Sequence, residues 1–323
     1  SAIISQLRVA RPNKRQAMQH ERSLLGHSGA VLCVRYTANG AHCVSCGADR
    51  TVKLWNPDRE APSTGGLLIK TYAGGHSKEV ACVAVSQDSA RIASGGGDTV
   101  SVIWDVSTGQ VVRKLEGHTG RVNGISFAAP HHALAITASY DKTAKLWDLR
   151  SQGTRALQTI TDFRDSVTAV GLVGAHTIIA SSVDGCVRQF DIRKGEVRAD
   201  DFKVPVTSVC VSHDGLCAAA SCLDNSVRLV ELKTGAQLNS YASHAHVAYS
   251  LEACFSHDDA YVVSGSEDGR VVAWKLVEAD VAFELGHAHK KATASLSWHP
   301  TLPKVLVASF DGSVSLWATK ARR

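Results

Sequence analysis

Ile136-Thr137-Ala138-Ser139-Tyr140-Asp141-Lys142-Thr143-Ala144-Lys145-Leu146-Trp147 decides the fold. Apolar residues alternate with small or polar ones on either side of Tyr140-Asp141-Lys142, the pattern of two short strands about a tight turn. An Asp followed six positions later by a large or branched residue recurs at Asp49/Trp55, Asp98/Trp104, Asp184/Phe190, Asp224/Val230, Asp268/Trp274 and Asp311/Trp317. Successive Asp residues lie 49, 43, 43, 40, 44 and 43 positions apart, which is the period of a four-stranded unit stacked against copies of itself. Seven such units predict an all-β chain, a seven-bladed β-propeller closed into a single ring.

By length alone, 323 residues suggest two domains, yet a ring of seven sheets uses about that length as one unit. The expected division is an arm over 1–19 and a propeller over 20–323. Too few residues follow Trp317 for a fourth strand in the last blade, so the stretch 20–25 is expected to supply it. A long insert over 58–66 accounts for the first spacing of 49. The arm carries Arg8, Arg11, Lys14 and Arg15, a composition that suits a disordered tail better than a docked segment.

The net charge of +5 is mild, and the basic residues are scattered, so no sequence-specific nucleic-acid binding is expected. The longest apolar runs are of strand length, short of the roughly 20 residues of a membrane helix. An odd count of nine Cys, spread through the expected strands, suits a reducing compartment in which Cys acts as a small buried hydrophobe. A soluble chain of the cytoplasm and nucleus is expected, with no cofactor and no metal. Cys43 and Cys46 have zinc-knuckle spacing, but residues three apart on a strand face opposite ways.

Ser, His and Asp recur together, which could suggest a hydrolase. There is no Gly-x-Ser-x-Gly elbow, however, and the set repeats where one active site would be single, so a structural role is the better reading. Ser94-Gly95-Gly96-Gly97-Asp98 lacks the Gly-Lys-Ser/Thr of a phosphate loop and reads as a tight turn. The His pairs at 131/132, 244/246 and 287/289 make metal binding a weak alternative. No catalysis is expected.

A Gly-His or Ser-His pair precedes the turn Asp by 22 to 24 positions in five units: His27/Asp49, His76/Asp98, His118/Asp141, His244/Asp268 and His287/Asp311. At this spacing the chain resembles the WD40 family. The resemblance implies a buried network in which Asp accepts from His, His engages a Ser or Thr of the second strand, and that hydroxyl meets the Trp indole. The matching hydroxyls are Ser45, Ser94, Thr137 and Ser264, and the matching indoles are Trp55, Trp104, Trp147, Trp274 and Trp317. Units 4 and 5 lack the His, and Ala180, Ala220 and Val307 stand where units 4, 5 and 7 would carry the hydroxyl. Those blades are expected to rely on apolar packing and to have softer turns.

The residue before each turn Asp should project near the central opening. Tyr140, Leu223 and Phe310 are large there, and Glu267 holds the same position in unit 6. Starts of the innermost strands, including Leu32, Glu79, Arg121, Asn123 and Arg164, are expected on the same rim. Arg and aromatic residues together favour a protein-docking face over scattered surface residues.

Further runs extend along the chain: 43–49 through 53–57, Ser94-Gly95-Gly96-Gly97-Asp98 with 103–106, 107–114, 182–185, 264–269 and Trp298-His299-Pro300. In these the chain resembles the mitogen-activated protein kinase organizer group of WD40 proteins. That resemblance implies a scaffold that assembles kinase-cascade components or belongs to the spliceosome as a splicing factor. A monomeric propeller within larger assemblies is expected. The run Trp147-Asp148-Leu149-Arg150 also resembles the box by which substrate receptors dock onto a cullin-based ubiquitin ligase, the alternative function.

Overall fold

A computed structural model describes residues 18–128, 133–151, 153, 155–174, 176–286 and 288–319. Among these residues there is no helix, and twenty-eight strands form seven antiparallel sheets of four. In blade 3 the strands Val122–Ala128, Leu134–Ser139, Ala144–Asp148 and Gln158–Ile160 pair in chain order. Along its second strand Ala135 packs toward blade 2, while Ile136 and Ala138 pack toward blade 4. Both faces are covered, which is why the strand is buried almost throughout.

One apolar cluster fills each gap between neighbouring blades. Full burial of a side chain such as Ile136 stabilises by about 1.5–3 kcal/mol. Inner strands of consecutive blades touch all the way round, those of blades 7 and 1 included, so the ring is closed as the repeat period predicts. Cys43 faces blade 7 and Cys46 faces blade 2, so the two thiols cannot share a metal. Burial pushes both thiols up.

Blade 7 is built from both ends of the described chain. Thr293–Trp298, Lys304–Ser309 and Ser313–Thr319 are its first three strands, and Met18–Leu25 is the fourth. Leu24 lies opposite Val314 and is buried with Trp55 and Leu316. Residues 1–17 of the expected arm lie outside the described residues.

The insert forms a hairpin extension of blade 1, between Val52–Ala61 and Gly65–Tyr72, that leans onto this closing strand. The Leu25 amide donates to the Thr64 carbonyl at 2.9 Å, and Lys304 Nζ meets Asp58 Oδ1 at 2.6 Å. Gly65 has φ of 75°, and a Cβ there would lie 1.9 Å from the Ser23 carbonyl oxygen. Only glycine admits that approach.

Candidate functional site

Blades 1, 2 and 3 share one polar relay. Trp55 Nε1 donates to Ser45 Oγ at 2.8 Å, Ser45 Oγ lies 2.8 Å from His27 Nε2, and His27 Nδ1 lies 2.8 Å from Asp49 Oδ2. Trp104, Ser94, His76 and Asp98 repeat this at 2.8, 2.8 and 3.1 Å, and Trp147, Thr137, His118 and Asp141 at 2.9, 2.7 and 2.8 Å. An indole only donates and a carboxylate only accepts, so the hydroxyl donates to Nε2 and a neutral His donates from Nδ1. Burial lowers the His76 and His118 pKa values against the opposing pull of Asp98 and Asp141. Burial also acts to raise the Asp98 carboxyl, but hydrogen bonds from the Ser77 amide and His76 outweigh it and hold it low.

Blade 7 corrects two expectations. His289 donates to Asp311 at 3.0 Å, in the role assigned to His287, which lies outside the described residues. The hydroxyl absent at Val307 comes from Ser315, directly opposite on the third strand, where it meets His289 Nε2 and the Trp317 indole at 2.8 Å each. The relay is therefore complete, with its hydroxyl moved across one strand pair.

Blades 4 and 5 do not rest on apolar packing alone. Arg188, opposite Ala180, closes on Asp184 at 2.9 Å with its guanidinium over Phe163, which occupies the place of the missing His. Arg228, opposite Ala220, pairs with Asp224 and lies over Phe202. The small Ala leaves room for the Arg to run inward, and cation–π contact adds to the pairing.

Blade 6 holds every residue of the relay and does not join them. Trp274 Nε1 donates to the Ala242 carbonyl, Ser264 Oγ to the Gly265 carbonyl, and Asp268 pairs with Arg270 at 2.8 Å. His244 is buried with neither ring nitrogen bonded within the protein. It stands 24 positions before its Asp, whereas the joined pairs stand 22 or 23 apart.

The ring encloses a central cavity of about 860 Å³. The innermost strands of six blades carry a bulge at their second residue, as between Val31 and Cys33, Val122 and Gly124, or Thr293 and Ser295. A bulge re-aims its extra residue, and Leu32, Asn123 and Ala294 accordingly line the cavity. Deeper in the cavity, Arg35 of blade 1 makes a bidentate pair with Glu252 of blade 6 at 2.7 and 2.8 Å. Ser295 of blade 7 donates to the same carboxylate at 2.6 Å, a clasp that the sequence reading missed.

Tyr140 is 68% exposed at this mouth, which Arg121 and Phe310 also line. Tyr249, unforeseen from sequence, joins them and meets Phe310 edge-on at 5.2 Å. Glu79 lies 3.8 Å from Arg121 and covers Gly97, where a Cβ would fall 2.4 Å from the Glu79 carboxylate. Three expectations need correction. Glu79, Arg164 and half-buried Leu223 are not on the cavity lining. Asn123 lines it but spends its amide on Ser166 and Val167 of the next blade. Glu267 is not free for a partner, because its Oε1 accepts the amides of Val247, Ala248 and Tyr249 at 2.8, 2.6 and 3.0 Å.

A closed seven-bladed ring with an indole relay at its turns defines a WD-repeat propeller. The WD domain, G-beta repeat family matches residues 18–56, 66–105, 109–148, 199–231, 235–275 and 283–318, and the chain belongs to that family. It is 42% identical to WD repeat domain-containing protein 83 of Rattus norvegicus over 90% of this chain and 88% of the relative. The Homo sapiens protein of that name is 42% identical over 91% of this chain and 90% of its own. A Dictyostelium discoideum homolog is 26% identical over 91% and 96%. Proteins of this family are in general non-catalytic scaffolds that mediate protein–protein contacts, and the chain is a non-catalytic WD-repeat protein.

Proposed function

We propose that the chain assembles multiprotein complexes in the cytoplasm and nucleus, as a scaffold for mitogen-activated kinase components or as a splicing factor of the spliceosome. The single observation that carries a docking role is Tyr140, an aromatic side chain left 68% exposed at the mouth of a cavity that the Tyr249–Phe310 pair also lines. Burying such a side chain against a partner is a strong source of binding energy. The two cellular settings rest on the whole-chain resemblance and on relatives of near-equal length.

The test is affinity purification of the full chain from native extract, with Tyr140→Ala/Phe310→Ala beside it. Splicing factors or kinases are expected among the captured proteins, with at least about a fivefold loss in the double variant and an unchanged unfolding temperature. Equal capture by both proteins would overturn the reading.

The ligase alternative has one feature in its favour. Arg150 is highly exposed and pairs with Asp148 at 3.1 Å, a charged corner open to an adaptor. Asp148→Lys/Arg150→Glu should abolish capture of a cullin adaptor and leave kinases and splicing factors untouched.

A further inference from the structure

The loop between blades 5 and 6 exposes Val247 and Tyr249 by 58% and 50%. Glu267 anchors the backbone that carries them. Three successive amides converge on one of its carboxylate oxygens, which fixes the loop backbone and lays Tyr249 against Phe310. Convergent amides of this kind form an anion-binding concavity, here filled by the protein's own side chain, so the loop is set before any partner arrives. Preorganisation lowers the cost of binding.

The charge beside this apolar platform is one-sided. Lys290 and Lys291 are exposed, and their backbone adjoins the Phe310 turn, since the Lys290 amide meets Asp311 and Ser309 Oγ donates to the Lys291 carbonyl. Nearby carboxylates are already engaged: Glu267 by amides, Asp268 by Arg270, and Asp311 by His289 and Ser313. Among the described residues, this corner offers a partner two exposed cations and three apolar side chains. We propose that this corner of blades 6 and 7 binds an acidic peptide segment that carries an aliphatic or aromatic anchor, the anchor seated on Val247, Tyr249 and Phe310 and its flanking carboxylates on Lys290 and Lys291. The proposal deepens the scaffold reading and rests on it.

The experiment is selection of a random 12-residue peptide library on the full chain. Enriched peptides should carry one large apolar residue flanked by Asp or Glu. Their affinity should fall at least tenfold in Lys290→Glu/Lys291→Glu and in Tyr249→Ala, and should weaken with added salt, while thermal unfolding of both variants stays that of the parent. Glu267→Gln should weaken the same peptides without changing their acidic bias. Enriched peptides that are neutral or basic, or acidic ones indifferent to the Lys290/Lys291 reversal, would overturn the proposal. Such a result would leave the scaffold reading standing if native complexes still depend on Tyr140 and Phe310, and failure of that dependence would bring down the scaffold reading separately.

Discussion

The guanidinium of Arg188 reaches Asp184 at 2.9 Å from a strand position directly opposite Ala180. Both side chains are more than nine-tenths buried, so losing one leaves an uncompensated charge in the blade. Arg188→Met is expected to cost about 3–5 kcal/mol. Lys145→Met, at the matching place of blade 3 where His118 already holds Asp141, should cost under about 1 kcal/mol. Urea unfolding midpoints of the two variants decide this, and similar losses would refute the assigned role of Arg188.

Acid should weaken the fold in two steps. Burial, with the neighbouring His246 adding to it, lowers the His244 pKa to about 4. An unfolded imidazole binds its proton near pH 6.5. Between those values the unfolded chain holds a proton that the folded chain refuses, so stability falls as pH drops across that window, by about 3 kcal/mol. Lowered pKa values at His76 and His118 act in the same direction. Asp98 and Asp141 are held below the usual carboxylate range, so their contribution is present above about pH 4 and is lost below it. His244→Leu should flatten the upper step in urea titrations between pH 7.5 and 4.5; an unaltered pH profile would contradict the assignment.

The Arg35–Glu252 clasp joins blades 1 and 6 across the cavity beside blade 7. Both side chains remain partly open to the cavity, so each single removal should cost about 1–3 kcal/mol. A double-mutant cycle with Arg35→Met and Glu252→Gln should show coupling above about 0.5 kcal/mol. Strict additivity would mean the contact contributes nothing to closure.

Gly65→Ala forces a side chain into the Ser23 carbonyl and demands a left-handed backbone from alanine. A loss of about 2 kcal/mol is expected. Hydrogen exchange should quicken first at Leu25, whose amide is held by Thr64. Exchange that quickens only elsewhere would show that the hairpin does not pin the closing strand.

The ring was legible in the sequence because its driving signal is periodic: an Asp, a tight turn and a Trp recur at one spacing, and each repeat must bury two faces. The relay was legible where it is local in register, as at His27, His76 and His118. It was misassigned where spacing was read too loosely. His289 lies 22 positions before Asp311, within the range of the other joined pairs, and this could have singled it out over His287. Arg188, Arg228 and Ser315 were missed because their role depends on what stands opposite across a strand pair, information that appears only once register is fixed. Tyr249 escaped for a similar reason: the backbone that carries it is anchored by a carboxylate eighteen residues away.

Because Met18–Leu25 forms its strand ladder with Ser313–Thr319, the sheet of blade 7 cannot be completed until the chain through residue 319 has left the ribosome. During synthesis that strand lacks its ladder partners, with only its Leu25 end able to meet Thr64 of the blade 1 hairpin, and the apolar face of blade 1 awaits a neighbour not yet translated. Such long-range pairing slows folding and exposes nascent chains to aggregation. Ribosome-stalled chains ending before residue 313 should therefore be protease-sensitive at Met18–Leu25 and across blade 7, and resistance there should arrive once residues 313–319 have emerged.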